Sequence, residues 1–386
     1  KQKTAYEIPK RDWSSDVCSS DLVKPGHAAA PVKGQAKPAV CHSQRTIAYN
    51  VVMLSKTLVV PFARAPQALG RDLLSRLSMP SLAKLLARAR QDQHHHTDVF
   101  DACLPHERWL CGHQSDNSPA LAHPLMAALR LPRLVGSWFI LQPVHIHIAR
   151  DHLVLTDYRR LLLEDHESRT LFDSIQSLFA EHHEPPLQLI YGNASYWFVR
   201  ADAWSAFRTC TPDAACGHNI DLWQPSGDLA RAWRRLHNDI QMLWHHHPLN
   251  DERESRGALR VNALWLWGMS SLAEPSLDSD DLTQTGQRLL AQSLVGSQLM
   301  GADHPTHALI TSLLPPALAE DWSGWLQYLQ LLEQEHFAPS LEALVLGVID
   351  ELSLVLSDGQ QLDIWRARRA DMRKFWVLPS LSRLAS

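Results

Sequence analysis

The stretch from His237 to Gly268, HNDIQMLWHHHPLNDERESRGALRVNALWLWG, constrains this chain more than any other. A helix with an apolar stripe at Leu229, Trp233, Leu236, Ile240 and Leu243 enters it from a cap at Asp228 and stops at Pro248, where proline has no N–H to give. NDERESRG reads as a charged loop, and VNALWLW as a buried strand terminating at Gly268. Any fold that hides Trp244, Trp265 and Trp267 here must also satisfy Asn238, Gln241, His247, Asn250, Arg253, Glu254 and Asn262. Buried amides and charges are costly unless paired.

Two readings of those polar residues stand side by side. In the first they form a ligand site beside Trp265. Asn238 and Gln241 supply amides, His247 titrates near neutrality, and Arg253 offers a fork for phosphate or carboxylate, with Glu254 as its internal partner. In the second they are a closed network that ties helix to strand.

Not all of the 386 residues invite fold reasoning. Residues 1–22 resemble translated sequencing-adapter sequence and have no sustained period; residues 23–52 are rich in Ala, Pro, Lys and Gly, which predicts a disordered tail. Met53 is the expected start, and residues 53–386 the expected single α/β domain. The first 22 residues carry four basic and four acidic side chains, so the net charge stays at -4 without them. A mildly acidic chain has no global pull toward nucleic acid or anionic membrane. No uncharged apolar run of about 18 residues occurs, so no membrane span is expected, and no signal peptide follows Met53. Cys103, Cys111, Cys210 and Cys216 fit neither a zinc-pair nor a disulfide spacing, and read as free thiols in a reducing cytoplasm.

Along the chain, Thr57–Phe62 predicts a first buried strand and Leu73–Arg90 a helix starting near Pro80. His94, His95 and His96 follow in what reads as a polar linker. Asp116–Leu131 has a helical pattern. Ser137–Gln142 is apolar, and Val144–Ile148 alternates strictly, with His145 and His147 on one face. Asp151 and His152 lie near enough to join them. Those histidines suit a weak metal pair, a polar pocket without metal, or a half-exposed sheet face; no cofactor is expected. Asp165–His183 predicts an amphipathic helix, and Leu187–Tyr191 with Ser195–Val199 a hairpin, so the middle of the chain reads as antiparallel α+β. Later come a strand over His307–Leu314, helices over Ala319–Gln334 and Pro339–Gly347, and a hairpin across Asp358-Gly359. Arg366–Lys374 has charges at helical spacing.

Common enzyme signatures are missing. There is no GxGxxG, GxxxxGKS, GxSxG or HExxH. Cys216 and His218 in CGHN are too close in sequence to make a nucleophile–base pair on their own.

The block NDIQMLWHHHPLNDERESRGALRVNALWLWG resembles the signature of the bacterial regulatory protein RpfE family, with Ala263 where Ser is usual. LQPVHIHIARDHLVL, the GHNI of Gly217–Ile220 and FAPSLEALVLGVIDELSLVLSDG resemble the same family, so the likeness spans most of Met53–Leu384. Members are often labelled cofactor-independent phosphoglycerate mutase-like. That implies an α/β fold with a mixed sheet flanked by helices, of alkaline-phosphatase type, and the Met79–Ala89 helix is similar to one in such enzymes. Those enzymes need an Asp after the first strand and Asp/His clusters for two metals. TLVVPFARAP supplies no such Asp. The resemblance thus implies a regulatory, non-catalytic relative that binds a small anionic ligand or a partner protein. The alternatives are an active metal-dependent phosphoester enzyme using His145, His147 and Arg253, and a purely structural interaction module.

Overall fold

The computed structural model describes residues 54–66, 68–112, 117–132, 134–150, 152–181, 187–225, 230–273, 282–296 and 306–385. The expected artefact and tail over residues 1–52, the Asp228 cap and Asp151 lie outside the described residues. Among the described residues there are eleven strands: β1 (Ser55–Val60), β2 (Arg90–His96), β3 (Gly136–Val144), β4 (Ile146–Ala149), β5 (His152–Leu155), β6 (Gln188–Tyr191), β7 (Trp197–Arg200), β8 (Ala263–Leu272), β9 (His307–Leu309), β10 (Glu351–Ser357) and β11 (Gln361–Arg368). The first sheet has the order β2-β11-β10-β1-β9 and is mixed: β1 runs parallel to β9 and β10, while β11 is antiparallel to β10 and β2. The second, β6-β7-β3-β8, is antiparallel throughout, and β4 and β5 form a separate hairpin. This is an α/β fold with a mixed sheet flanked by helices and an antiparallel middle region.

The period of two in each strand explains the layering. In β1, Leu58 and Val60 join one apolar core and Val59 another. In β3, Trp138 and Ile140 join the same core as Val59, while Phe139 and Leu141 join a third. In β8, Trp265 and Trp267 follow Trp138, and Leu264 and Leu266 follow Phe139. Both sheets are therefore buried on both faces. The outer helices are Pro80–Arg88 and Trp322–Leu332 on the mixed sheet, and Asp165–Glu181 and Ala230–His245 on the antiparallel one. Residues of Pro105–Leu110, Ala122–Ala128 and Leu282–Leu294 fill the core shared by the two sheets.

Several expectations are corrected. The His94–His96 linker is part of β2, an edge strand whose polar residues show no alternation because nearly all of them are exposed. NDERESRG is no loop: Pro248–Ser255 is a helix, with Pro248 at its first position and His247 Nδ1 accepting from the Leu249 N–H (3.2 Å). One proline thus ends the Ala230–His245 helix and opens the next. β8 runs on past Gly268, which takes φ +71° opposite a register shift in β3. A Cβ there would sit 2.6 Å from Ile140 Cδ1, so glycine is required by both conformation and space. Leu243 is 39% exposed, and Trp244 fills the core instead. Ile148, expected on a buried face, is 77% exposed, because the Val144–Ile148 run breaks at His145 between β3 and β4. The Asp116–Leu131 helix is confined to Ala122–Ala128, the strand at His307 stops at Leu309, and Arg366–Arg368 belong to β11. A π turn, Glu333–Phe337, joins Trp322–Leu332 to Ala338–Leu346; Pro339 has no N–H to sustain α geometry there.

Candidate functional site

The residues singled out in the His237–Gly268 stretch do not converge on a cavity. Asn250, fully buried, donates Nδ2 to the carbonyls of Trp244 (2.9 Å) and Val261 (2.8 Å) and accepts from the Val261 N–H (2.8 Å). Arg253, also fully buried, donates Nε to the Leu259 carbonyl (2.8 Å) and Nη2 to the Leu161 carbonyl (2.5 Å), and pairs with Glu167. Glu167 rather than Glu254 is its carboxylate partner; Arg256 takes the other Glu167 oxygen. Glu254 instead pairs with Arg260 (2.7 Å). Burial pushes the Glu167 carboxyl up, but the Glu164 N–H and the two guanidiniums outweigh it and hold the group below its ordinary range. Asn262 clasps the Ile146 backbone, accepting from its N–H (2.8 Å) and donating to its carbonyl (2.7 Å). Trp265 donates Nε1 to the Cys210 carbonyl (3.0 Å). Asn238 is exposed and Gln241 half-buried on the outer helix. The closed-network reading describes this unit.

His145 and His147 do share a face: their rings stack 6.3 Å apart, 11° from parallel. His145 Nδ1 pairs with the Arg260 carbonyl (2.8 Å), His147 Nδ1 with Thr156 Oγ1 (3.0 Å), and His147 is exposed. The Arg260 carbonyl held by His145 adjoins the Leu259 carbonyl held by Arg253. Among the described residues, no group of three or more His, Cys, Asp or Glu side chains could hold a metal ion. Among the described residues Cys103, Cys111, Cys210 and Cys216 are free thiols, and burial pushes Cys103 and Cys216 up to about 12, away from nucleophilic use.

The constellation with chemical potential lies elsewhere, in a cavity of about 310 Å³ between the helix Leu282–Leu294, the start of β7 and the residues after β5 and β9. Its walls carry His106, Glu107, Tyr158, Arg159, Tyr196 and Asp213. Pro105 opens the short helix that presents His106 and Glu107, and Glu107 Oε2 caps it by accepting from the Leu104 N–H (2.8 Å). The same oxygen accepts from Thr211 Oγ1 (2.8 Å). Asp213 follows Pro212 in a second short helix and forms a two-pronged pair with Arg159 (2.9 and 2.8 Å), whose Nη1 also reaches Asp157 (2.9 Å). Tyr196 Oη donates to Tyr158 Oη (3.3 Å). At the lip, Leu162 takes a left-handed conformation, φ +46°, and is 82% exposed.

Two groups here are displaced in opposite senses. Burial, and then the Asp213 charge, push the Glu107 carboxyl up to about 8, so it keeps its proton at neutral pH. Burial pushes the His106 imidazole down to about 4, so it stays neutral, and its buried Nδ1 has no hydrogen-bond partner. An uncharged imidazole and a protonated carboxylic acid on one wall are a donor–acceptor pair set by environment.

Solved structures with a similar fold include the following two. A cofactor-independent phosphoglycerate mutase from Thermoplasma acidophilum is 16% identical, with 86% of this chain and 95% of that chain covered and a TM-score of 0.36. The PH0037 protein from Pyrococcus horikoshii is 13% identical, with 82% and 88% covered and a TM-score of 0.43. At these values neither likeness bears on activity. No family model and no curated protein matches the chain.

Sequence reasoning passed over His106, Glu107, Arg159 and Asp213. The available signals were two proline-led helix starts, Pro105-His106-Glu107 and Thr211-Pro212-Asp213, each placing a carboxylate within the first turn. The pairing of Arg159 with Asp213 spans 54 residues and has no local pattern.

The two regions are nevertheless joined. The Leu161 carbonyl held by Arg253 belongs to a residue lining the cavity, and the Cys210 carbonyl held by Trp265 adjoins the segment bearing Thr211 and Asp213. The signature stretch braces the cavity's frame from outside.

Proposed function

We propose that this chain is a ligand-binding regulatory protein of the kind the RpfE resemblance implies, and that a small, neutral, hydroxyl-rich molecule occupies the His106–Asp213 cavity. The observation that carries the reading is the unpartnered, buried Nδ1 of His106 on a cavity wall, since a buried polar atom without a partner costs free energy until something pairs with it. Charge balance supports the choice of ligand. Arg159 and Asp213 cancel, Glu107 holds its proton and His106 is uncharged, so the walls offer hydrogen bonds without a surplus cation. The anion expected on Arg253 has no access, because that guanidinium is 0% exposed. Descent from the phosphoglycerate mutases remains part of the proposal.

The opposed displacements of His106 and Glu107 favour a second reading, in which Glu107 donates a proton to the bound molecule and His106 accepts one. The test begins with thermal melts of the purified protein against a panel of neutral polyols and sugars at millimolar concentration. A ligand that binds the folded chain raises Tm in proportion to the logarithm of its concentration. The increase should vanish in Ser293→Trp, which fills the cavity. If no panel member raises Tm in the wild type, or if the increase survives Ser293→Trp, the cavity reading falls. Conversion of the ligand that is lost in Glu107→Gln, with binding retained, decides for the enzyme.

A further inference from the structure

A second cavity, of about 650 Å³, lies beneath β2 and is independent of the first. Its organising group is Asp363, 2% exposed. Asp363 Oδ1 pairs with His94 Nδ1 (2.7 Å) and accepts from Gln91 Nε2 (2.9 Å), and Oδ2 pairs with the guanidinium of Arg64. Arg64 is itself buried and also donates Nε to Asp358 (3.3 Å) and Nη2 to Gln361 Oε1 (2.8 Å). One buried carboxylate therefore fixes His94, Gln91 and Arg64 on a cavity wall. With Nδ1 engaged, Nε2 is the remaining polar atom of a ring that is half exposed. Arg90 and Arg383 complete the wall; Arg383 is held with its Cζ 4.5 Å over the Trp365 ring and Nη1 3.0 Å from the Ala89 carbonyl.

The lining thus sets three guanidiniums against one carboxylate, with Asp358 reaching Arg64 from outside the lining, in a chain whose net charge is -4. A surplus of pre-positioned guanidinium groups suits a carboxylate ligand. The strand above the cavity is also incomplete as a sheet member. β2 is seven residues long and, among the described residues, lies at the end of its sheet with a strand on one side only, β11. Polar and charged residues normally protect such an edge from unselective pairing. β2 itself carries Arg90 and Asp92, so selection for an acidic strand comes from the guanidiniums of the cavity lining beside it.

We propose that β2 and the cavity beneath it form a docking site for an extended acidic segment of a partner protein. The segment pairs with β2 as an added strand and places an Asp or Glu carboxylate against Arg90, Arg383 and His94.

Fluorescence anisotropy with a labelled hexaglutamate peptide and the full-length protein tests this. Saturable binding is expected, weakening as salt is raised, with at least tenfold loss in Arg90→Glu and in His94→Ala; both variants should keep the wild-type circular dichroism spectrum and melting temperature. Hydrogen exchange should show new protection across residues 90–96 when the peptide is bound. The proposal is overturned if the peptide does not saturate at millimolar concentration or binds Arg90→Glu as tightly as wild type. It is likewise overturned if equimolar acetate or phosphate displaces the peptide, or if β2 gains no protection, since either result would leave only a small-anion pocket. The polyol experiments on the first cavity neither require nor disturb this outcome.

Discussion

Glu107 is under two opposed influences: the hydrogen bonds it accepts favour the carboxylate, and its burial beside Asp213 favours the acid and wins. Its Oε2 caps the Leu104 N–H and accepts from Thr211, while the acid as a whole lines a cavity beside Asp213. Its folded-state value of about 8 lies above the unfolded 4.5, so the stability it contributes is fully present below pH 4.5 and is lost as pH rises through about 8. His106 has the opposite sign. Its folded value of about 4 lies below 6.5, so its contribution is present above pH 6.5 and lost as pH falls toward 4. Glu107→Gln keeps the acceptor geometry and removes the proton. Melts of both proteins from pH 5 to pH 9 should show the variant gaining on the wild type from pH 5 up to about 8 and levelling off beyond it. A constant difference in Tm across that range would mean that Glu107 is ionised throughout. None of this was visible in the sequence, because burial and the Asp213 charge, which set the shift, come from contacts across the fold. The mixture of polar and aromatic residues over His237–Gly268 was plain in the sequence, yet its role was not. Arg253 looks the same as text whether its fork meets a ligand or Glu167.

At the scale of elements, the helix–helix–strand unit from Ala230 to Leu272 behaves as a clamp. Arg253 joins three carriers: the Leu259 carbonyl before β8, the Leu161 carbonyl at the cavity, and Glu167 in the Asp165–Glu181 helix. Arg253→Ala leaves the buried Glu167, 1% exposed, with Arg256 as its remaining guanidinium and strips the Leu161 and Leu259 carbonyls of their donor, and should cost about 3 kcal/mol in urea unfolding. Arg253→Lys should recover little, because an ammonium cannot make all three contacts in the plane of a guanidinium. A loss below about 1 kcal/mol for the alanine variant would show that the network is dispensable. Elements whose period is self-contained were legible: β10 and β11 from Asp358-Gly359, the β6–β7 hairpin, and the Asp165–Glu181 helix. Those settled by a neighbour were not. β2 exists because β11 has an open edge, and Pro248 begins a helix because His247 caps it.

Across the whole molecule, three apolar cores are threaded by strands that serve two at a time, so a change in one face of a sheet is felt on either side. Ligand in the first cavity should therefore slow exchange of buried amides in β3 and β8 as well as at the lip, measured by hydrogen exchange with and without a polyol that raises Tm. The order of the mixed sheet has a consequence for synthesis. β1 has neighbours only in β9 and β10, and Thr57 pairs with His307, 250 residues later, and with Ser353. A chain truncated after Leu346 lacks β10, and trypsin should cut it readily after Lys56, whereas the full chain should protect that bond; protection in the truncated form would mean that β9 alone seats the strand. At about 5–20 residues per second, the ribosome releases β1 on the order of tens of seconds before its last partner emerges. For that interval Leu58, Val59 and Val60 lack the sheet that buries them in the finished fold, and the first strand made waits on the last hairpin.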